Sequence, residues 1–156
     1  MKKLLPQAND LDKVIDVMTY IYYHPGCSYH EIADYIGFAD RQAKYYADAC
    51  VYLDLVIEGL KPSAICEDIF KNSPENVTER VYEKIITDDL MGQIFARAYV
   101  LPDTELDTFA VELVSLYHPE ITSSSTFERR THNIVLWCKR IISYMNLKHR
   151  QYGISK

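Results

Sequence analysis

The chain has 156 residues, of which 48 % are hydrophobic and 25 % charged, and its net charge is −5. That length suits one ordinary domain or two small helical units, and the composition is that of a globular chain rather than a disordered one. No apolar run approaches the roughly 18–20 residues that span a bilayer; Met1-Lys2-Lys3-Leu4-Leu5-Pro6 gives way to Gln7, Asn9 and Asp10 before a signal-peptide core can form, so a cytoplasmic protein with no membrane contact is expected.

Asn9 or Asp10 can cap a first helix, in which Leu11, Val14, Ile15, Met18, Ile21 and Tyr22 recur at helical spacing until His24-Pro25-Gly26 ends it. Ser28-Tyr29-His30-Glu31 reads as a capping box for a second helix burying Ile32, Ala33 and Ile36, with Gly37 as its stop. Asp40 is expected to cap a third, with a buried face at Ala43, Tyr46, Ala47, Cys50 and Leu53. Two helices joined by so short a turn make a helix-turn-helix pattern. Leu55-Val56-Ile57 is then a β-prone run, and Glu58-Gly59 permits a tight turn into Leu60, which together read as a small wing.

After Lys61-Pro62-Ser63 a short helix is expected with Ile65, Ile69 and Phe70 inward, and Ser73-Pro74 is expected to open another carrying Val77, Val81 and Ile85. Thr87-Asp88-Asp89 can restart the chain as a helix to about Val100. Thr104 can cap the next, with a stripe at Leu106, Phe109, Ala110, Leu113, Leu116 and Tyr117 before His118-Pro119. The polar run Thr122–Thr126 reads as a loop, and a final helix is expected from Phe127 to about Met145.

The motifs of several chemistries are missing. No lysine has an acid two positions before it, as metal-dependent nucleases of the commonest restriction type require. The five glycines are isolated, so there is no phosphate-cradling loop, and no serine or cysteine lies in a nucleophile elbow. Cys27, Cys50, Cys66 and Cys138 are scattered, which suits buried free thiols in a reducing compartment and no zinc site. Most of the 13 tyrosines fall on or near buried faces. A non-enzyme without cofactor or metal is expected.

Charge is strongly segregated. Residues 1–128 hold 10 basic and all 22 acidic residues, a net of −12, whereas 129–156 hold seven basic residues and no acid. Such a stretch is the local footprint expected for phosphate contact; the competing explanation is a basic helix folded against the acidic body. Arg41 near the start of the third helix, and Arg129-Arg130 near the start of the last, occupy first turns where the helix dipole favours acids. In helix-turn-helix proteins that position points into a DNA groove. Gln42, Lys44, Tyr45, Thr126, Thr131 and Asn133 add hydrogen-bonding groups on faces away from the apolar stripes.

Residues 31–57, EIADYIGFADRQAKYYADACVYLDLVI, resemble a modular domain of bacterial type II restriction endonucleases and some stand-alone proteins, patterned gly-phe-x-x-arg-gln-x-x-tyr-tyr and then tyr-leu-gly-leu. Residues 124–141, SSTFERRTHNIVLWCKRI, resemble the same family's later thr-x-x-arg-arg helix, which ends near a tryptophan, and Leu5–Asp10 also fits. The resemblance implies winged-helix DNA recognition attached to, or serving, a restriction-type enzyme. It marks Arg41, Gln42, Tyr45, Tyr46, Thr126, Arg129, Arg130 and Trp137. Asp54 stands where the pattern has glycine, and the wing after Ile57 is short.

The sequence thus predicts a mainly α fold of two helix-turn-helix or winged-helix-like units with a small β wing. The N-terminal winged-helix unit is expected over 1–72 and a helical unit, packed on it, over 73–156. The expected role is a non-catalytic double-stranded DNA-binding module linked to restriction-modification, with a nuclease or another protein as partner and homodimerisation open. The alternative is a helical protein-interaction adaptor or transcription regulator.

Overall fold

A computed structural model of the chain describes residues 5–154, with side chains through 150. Among the described residues it is mainly helical, with eight helices and one two-stranded sheet. Packing divides it into two compact units, Met1–Ile85 and Ile86–Lys156. That division groups the helix beginning at Val77 with the first unit, whereas a boundary after residue 72 leaves it with the second.

In the first unit α1 (Leu11–Tyr23) is capped by Asp10, whose carboxylate accepts from the backbone N–H groups of Asp12 and Lys13. Its buried face is Leu11, Val14, Val17, Met18 and Ile21. At α2 (Tyr29–Ile36) Ser28 and Glu31 form the expected capping box, and Gly37 closes the helix at φ +86°, which glycine adopts without steric cost. α3 (Asp40–Tyr52) starts one residue earlier than expected. Ala39 is its cap residue and has no accepting side chain, so Gln42 Oε1 takes the Ala39 N–H at 3.2 Å instead. The three helices pack on one another. Tyr46 of α3 locks this arrangement: its hydroxyl donates to Asn9 Oδ1 and accepts from the Asp10 N–H.

Strands β1 (Val56–Ile57) and β2 (Lys61–Pro62) pair antiparallel, Val56 opposite Pro62, with β1 on α3 and β2 on α1. The hairpin is reached through Asp54 at φ +61°, in the left-handed region and at the position where the resembled pattern has glycine. Aspartate is among the side chains that tolerate this conformation. Helix α4 (Ala64–Asn72) is capped by Ser63, whose hydroxyl also donates to the Asp54 carbonyl at 2.6 Å. Cys66, not Ile65, joins Ile69 inside, because Ile65 lies on the outer side of that short helix. Ser73-Pro74 forms a turn, closed by the Asn76 N–H on the Ser73 carbonyl, and α5 (Val77–Ile86) begins after it.

The second unit packs three helices, α6 (Asp89–Ala98), α7 (Asp103–Tyr117) and α8 (Ser124–Ile154), each against the other two, with no strand among its described residues. Asp88 caps α6 through the Leu90 and Met91 N–H groups. Pro102, not Thr104, precedes α7, whose buried residues are Leu106, Ala110 and Val114. Leu116 was expected in that stripe, yet it is 77 % exposed, because α7 turns Val114 rather than Leu116 inward. α8 starts three residues before Phe127 and runs past Met145: the Ser123 carbonyl accepts from the Phe127 N–H and its hydroxyl from Thr126. Trp137 is fully buried on it.

Candidate functional site

The expected contact residues fall in both units, and each group is built by its own helix. On α3 the buried positions Ala43, Tyr46, Ala47 and Cys50 leave Arg41, Lys44 and Asp48 exposed on the opposite side, with Tyr45 half-buried between them. Arg41 Nε donates to the Tyr45 hydroxyl at 2.6 Å, and its guanidinium lies over the Tyr45 ring. Lys44 Nζ donates to Asp48 Oδ2 at 2.8 Å, and this carboxylate contact raises the lysine pKa above its ordinary value. Such an exposed i,i+4 pair is worth only about 0.3–0.5 kcal/mol, so Lys44 is readily given up to a stronger anion. Gln42 spends its amide oxygen on the Ala39 N–H.

Acids surround these cations. His30 on α2 bridges Asp40 (Nδ1 to Oδ1, 3.1 Å) and Asp34 (Nε2 to Oδ2, 3.5 Å). The hydrogen bond to Asp40, then the charge of Asp34, raises the His30 pKa. This bridge ties the start of α3 to α2, and periodicity could not have revealed it because the three residues lie on two helices. Glu31, Asp34, Asp40 and Asp48 thus share the exposed α2–α3 surface with Arg41 and Lys44.

On α8 the picture differs. Because the helix begins at Ser124, Arg129 and Arg130 lie beyond its first turn, and the argument from a cation at a helix N-terminus does not apply to them. Arg129 is exposed, and Arg130 and Thr126 are half-buried. Thr131 and Asn133, expected on an outward face, are each only 3 % exposed, which withdraws them from any surface contact. The Thr131 hydroxyl finds no hydrogen-bond partner among the described residues. The reason is that α8 packs against both α6 and α7, so it buries far more than one apolar stripe. Lys139 reaches Asp103 of α7 at 3.0 Å, and Lys148 lies over the Tyr144 ring. No acid occurs on α8 after Glu128.

Two further residues marked by the resemblance, Tyr46 and Trp137, are core residues. All four cysteines are free and buried. Among the described residues no group of three or more His, Cys, Asp or Glu is placed to hold a metal ion, and no helix is long and apolar enough to cross a membrane.

Residues 13–146, from α1 into the second half of α8, match a family described as a domain of unknown function (DUF7226). No curated protein and no solved structure matches the chain. With the match spanning most of its length and taking in all of α3 and α8 as far as residue 146, the chain belongs to this family of domains of unknown function.

Proposed function

We propose that the chain is a non-catalytic module that binds double-stranded DNA, with α8 as its main contact and α3 as a second. The observation that carries this reading is the separation of charge: every acid lies at or before Glu128, and the rest of α8 presents Arg129, Arg130, Lys139, Arg140, Lys148 and Arg150 with none. Phosphate contact rests on such local positive charge, and the overall charge of −5 matters little beyond a Debye length of about 8 Å. In the first unit, the α2–α3 pair followed by the β1–β2 hairpin supports a winged-helix reading, in which Arg41, Lys44 and Tyr45 face the duplex. The resemblance to restriction-enzyme modules extends the proposal to a recognition component acting with a nuclease. The buried free thiols support a reducing, cytoplasmic setting.

The runner-up is a protein-interaction adaptor or transcription regulator, favoured by the exposed Val100 and Leu116. Titrating mixed-sequence duplex DNA at 50 and 200 mM salt, with Arg129→Ala/Arg130→Ala alongside, separates the two. DNA binding gives weakening with salt and, for the variant, a slope shallower by about 0.9 for each lost phosphate contact. No binding at either salt, or salt-insensitive binding, sinks the DNA reading. Cleavage of the duplex by the pure protein with magnesium would overturn the non-catalytic part.

A further inference from the structure

His30 stands where α2 meets α3, with a carboxylate at each ring nitrogen: Nδ1 is 3.1 Å from Asp40 Oδ1, and Nε2 is 3.5 Å from Asp34 Oδ2. A neutral imidazole has one N–H and one lone pair, so it can donate to only one of the two. The imidazolium donates to both, and the bridge is therefore the arrangement of the charged ring. Loss of a proton turns a lone pair toward one carboxylate and breaks that contact. The acids acting on the ring are Asp34 and Glu31 of α2 and Asp40 of α3, and all three are exposed. Glu31 is itself engaged in the α2 capping box. α1 packs on both helices, yet among the described residues none of its side chains bonds or pairs with His30. The hydrogen bond to Asp40, then the charge of Asp34, raises the His30 pKa from its ordinary 6.5, so the change of state falls above that pH.

Asp40 is the first residue of α3 and Arg41 the second. Arg41 gives its Nε to the Tyr45 hydroxyl, and among the described residues no carboxylate lies within ion-pair distance of its guanidinium. We propose that His30 is a proton-operated control on the α3 contact: the charged ring holds Asp34 and Asp40 and leaves Arg41 to a phosphate, whereas the neutral ring releases a carboxylate that opposes the phosphate. This rests on the DNA reading and makes the share of α3 in it depend on pH. The coupling is reciprocal, so a phosphate at Arg41 favours the charged ring in turn.

The test is anisotropy of a rhodamine-labelled, mixed-sequence duplex titrated with the full chain in 50 mM salt, at about pH 6 and about pH 8.5. His24, His118, His132 and His149 are common to the parent and to His30→Gln, so the difference between these two isolates His30. At the lower pH the parent should bind about two- to fivefold more tightly than His30→Gln, the effect of one charge several ångströms from a phosphate in water. At the higher pH the two should be equal. His30→Lys, a fixed cation in the same place, should bind more tightly than His30→Gln at both. His30 is exposed, so neither variant should change the far-ultraviolet circular dichroism. By nuclear magnetic resonance the His30 ring should titrate at a higher pH with duplex bound than without, which a bridge that only supports the fold would not show. Equal affinities of the parent and His30→Gln at the lower pH, His30→Lys no tighter than His30→Gln at the higher, or a His30 titration that duplex leaves unmoved would overturn the control and leave the DNA reading standing. No binding of duplex at either pH would overturn both.

Discussion

Gly92 offers a test of how tightly the second unit is built. It is the fourth residue of α6, where glycine ordinarily costs about 0.8–1 kcal/mol relative to alanine, so Gly92→Ala in an open helix would stabilise the protein. Here the sign reverses. A β-carbon at Gly92 would lie 2.4 Å from the Ile86 carbonyl oxygen and 3.2 Å from the Ile86 carbonyl carbon. Carbon–oxygen contacts normally settle at about 3.3 Å or more, so the two backbones must separate by about 0.9 Å. The obstacle is main chain at the end of α5, and no rotamer change relieves it. Movement of α6 disturbs Leu90, Met91 and Ile94, all buried. Overpacking of this kind costs about 1–3 kcal/mol, occasionally more, and the helix-propensity gain offsets about 1 of that. Because a 0.9 Å separation of main chain puts the cost in the upper part of that range, about 2–3 kcal/mol, a net loss of about 1–2 kcal/mol is expected. Urea denaturation followed by the fluorescence of Trp137, the sole tryptophan and buried in the same unit, reads it directly. With a urea slope of about 1–3 kcal/mol per M, the midpoint should fall by roughly 0.5–1 M at unchanged slope. An unchanged or higher midpoint for Gly92→Ala would refute the close-approach argument.

Other perturbations report on the first unit and on the candidate contacts. Ser28→Ala removes the acceptor for the Glu31 N–H and half of the α2 capping box, and should cost about 1 kcal/mol in chemical denaturation; a loss below about 0.3 kcal/mol would contradict a working box. The raised folded-state pKa of His30 means its contribution is fully present below the ordinary value of 6.5 and is lost as pH rises through the folded value. His30→Gln should therefore flatten stability against pH just above 6.5, and an imidazole titration by nuclear magnetic resonance giving a value at or below 6.5 would remove the bridge to Asp34 and Asp40. Burial pushes the Cys66 thiol up to about 11, Cys138 to about 12 and Cys50 higher still, so an alkylating reagent at pH 8 should leave all three unmodified until the chain unfolds. Under the DNA reading, Arg129→Ala should weaken binding more than Arg41→Ala, measured by anisotropy at one salt concentration; the reverse order would make α3 the principal contact.

Much of the fold is written locally. Of the two residues that could cap the first helix Asp10 does so, Ser28 with Glu31 forms the capping box the sequence predicts, and α6 starts where Thr87-Asp88-Asp89 predicts a restart, because an N-cap depends on a few consecutive residues. The errors arise where distant packing decides. The polar run 122–126 reads as a loop because serine and threonine form helices poorly, yet Ser123 caps α8 and the helix takes in 124–126. Leu116 and Val114 are both apolar residues of α7, and only the neighbouring helices determine which of them turns inward. Polarity predicts Thr131 and Asn133 on an outward face, but a helix packed on two others buries polar positions that no single stripe marks. Of the expected contacts, the exposed cations Arg41, Lys44 and Arg129 remain on the surface; Asp40 and Asp48 flank the first two in the sequence, whereas Asp34 and His30 join them only because α2 packs on α3.

That crowding sets the order of importance between the two candidate helices. A phosphate approaching Arg41 or Lys44 also approaches exposed acids on the same two packed helices: Asp48 holds Lys44, and Asp40, next to Arg41, shares His30 with Asp34. Attraction to the two cations is largely offset there unless His30 is protonated or Lys44 leaves Asp48. Under the DNA reading α8 is therefore the principal contact: no acid follows Glu128 along it, and of its cations Lys139 is paired with Asp103 of α7.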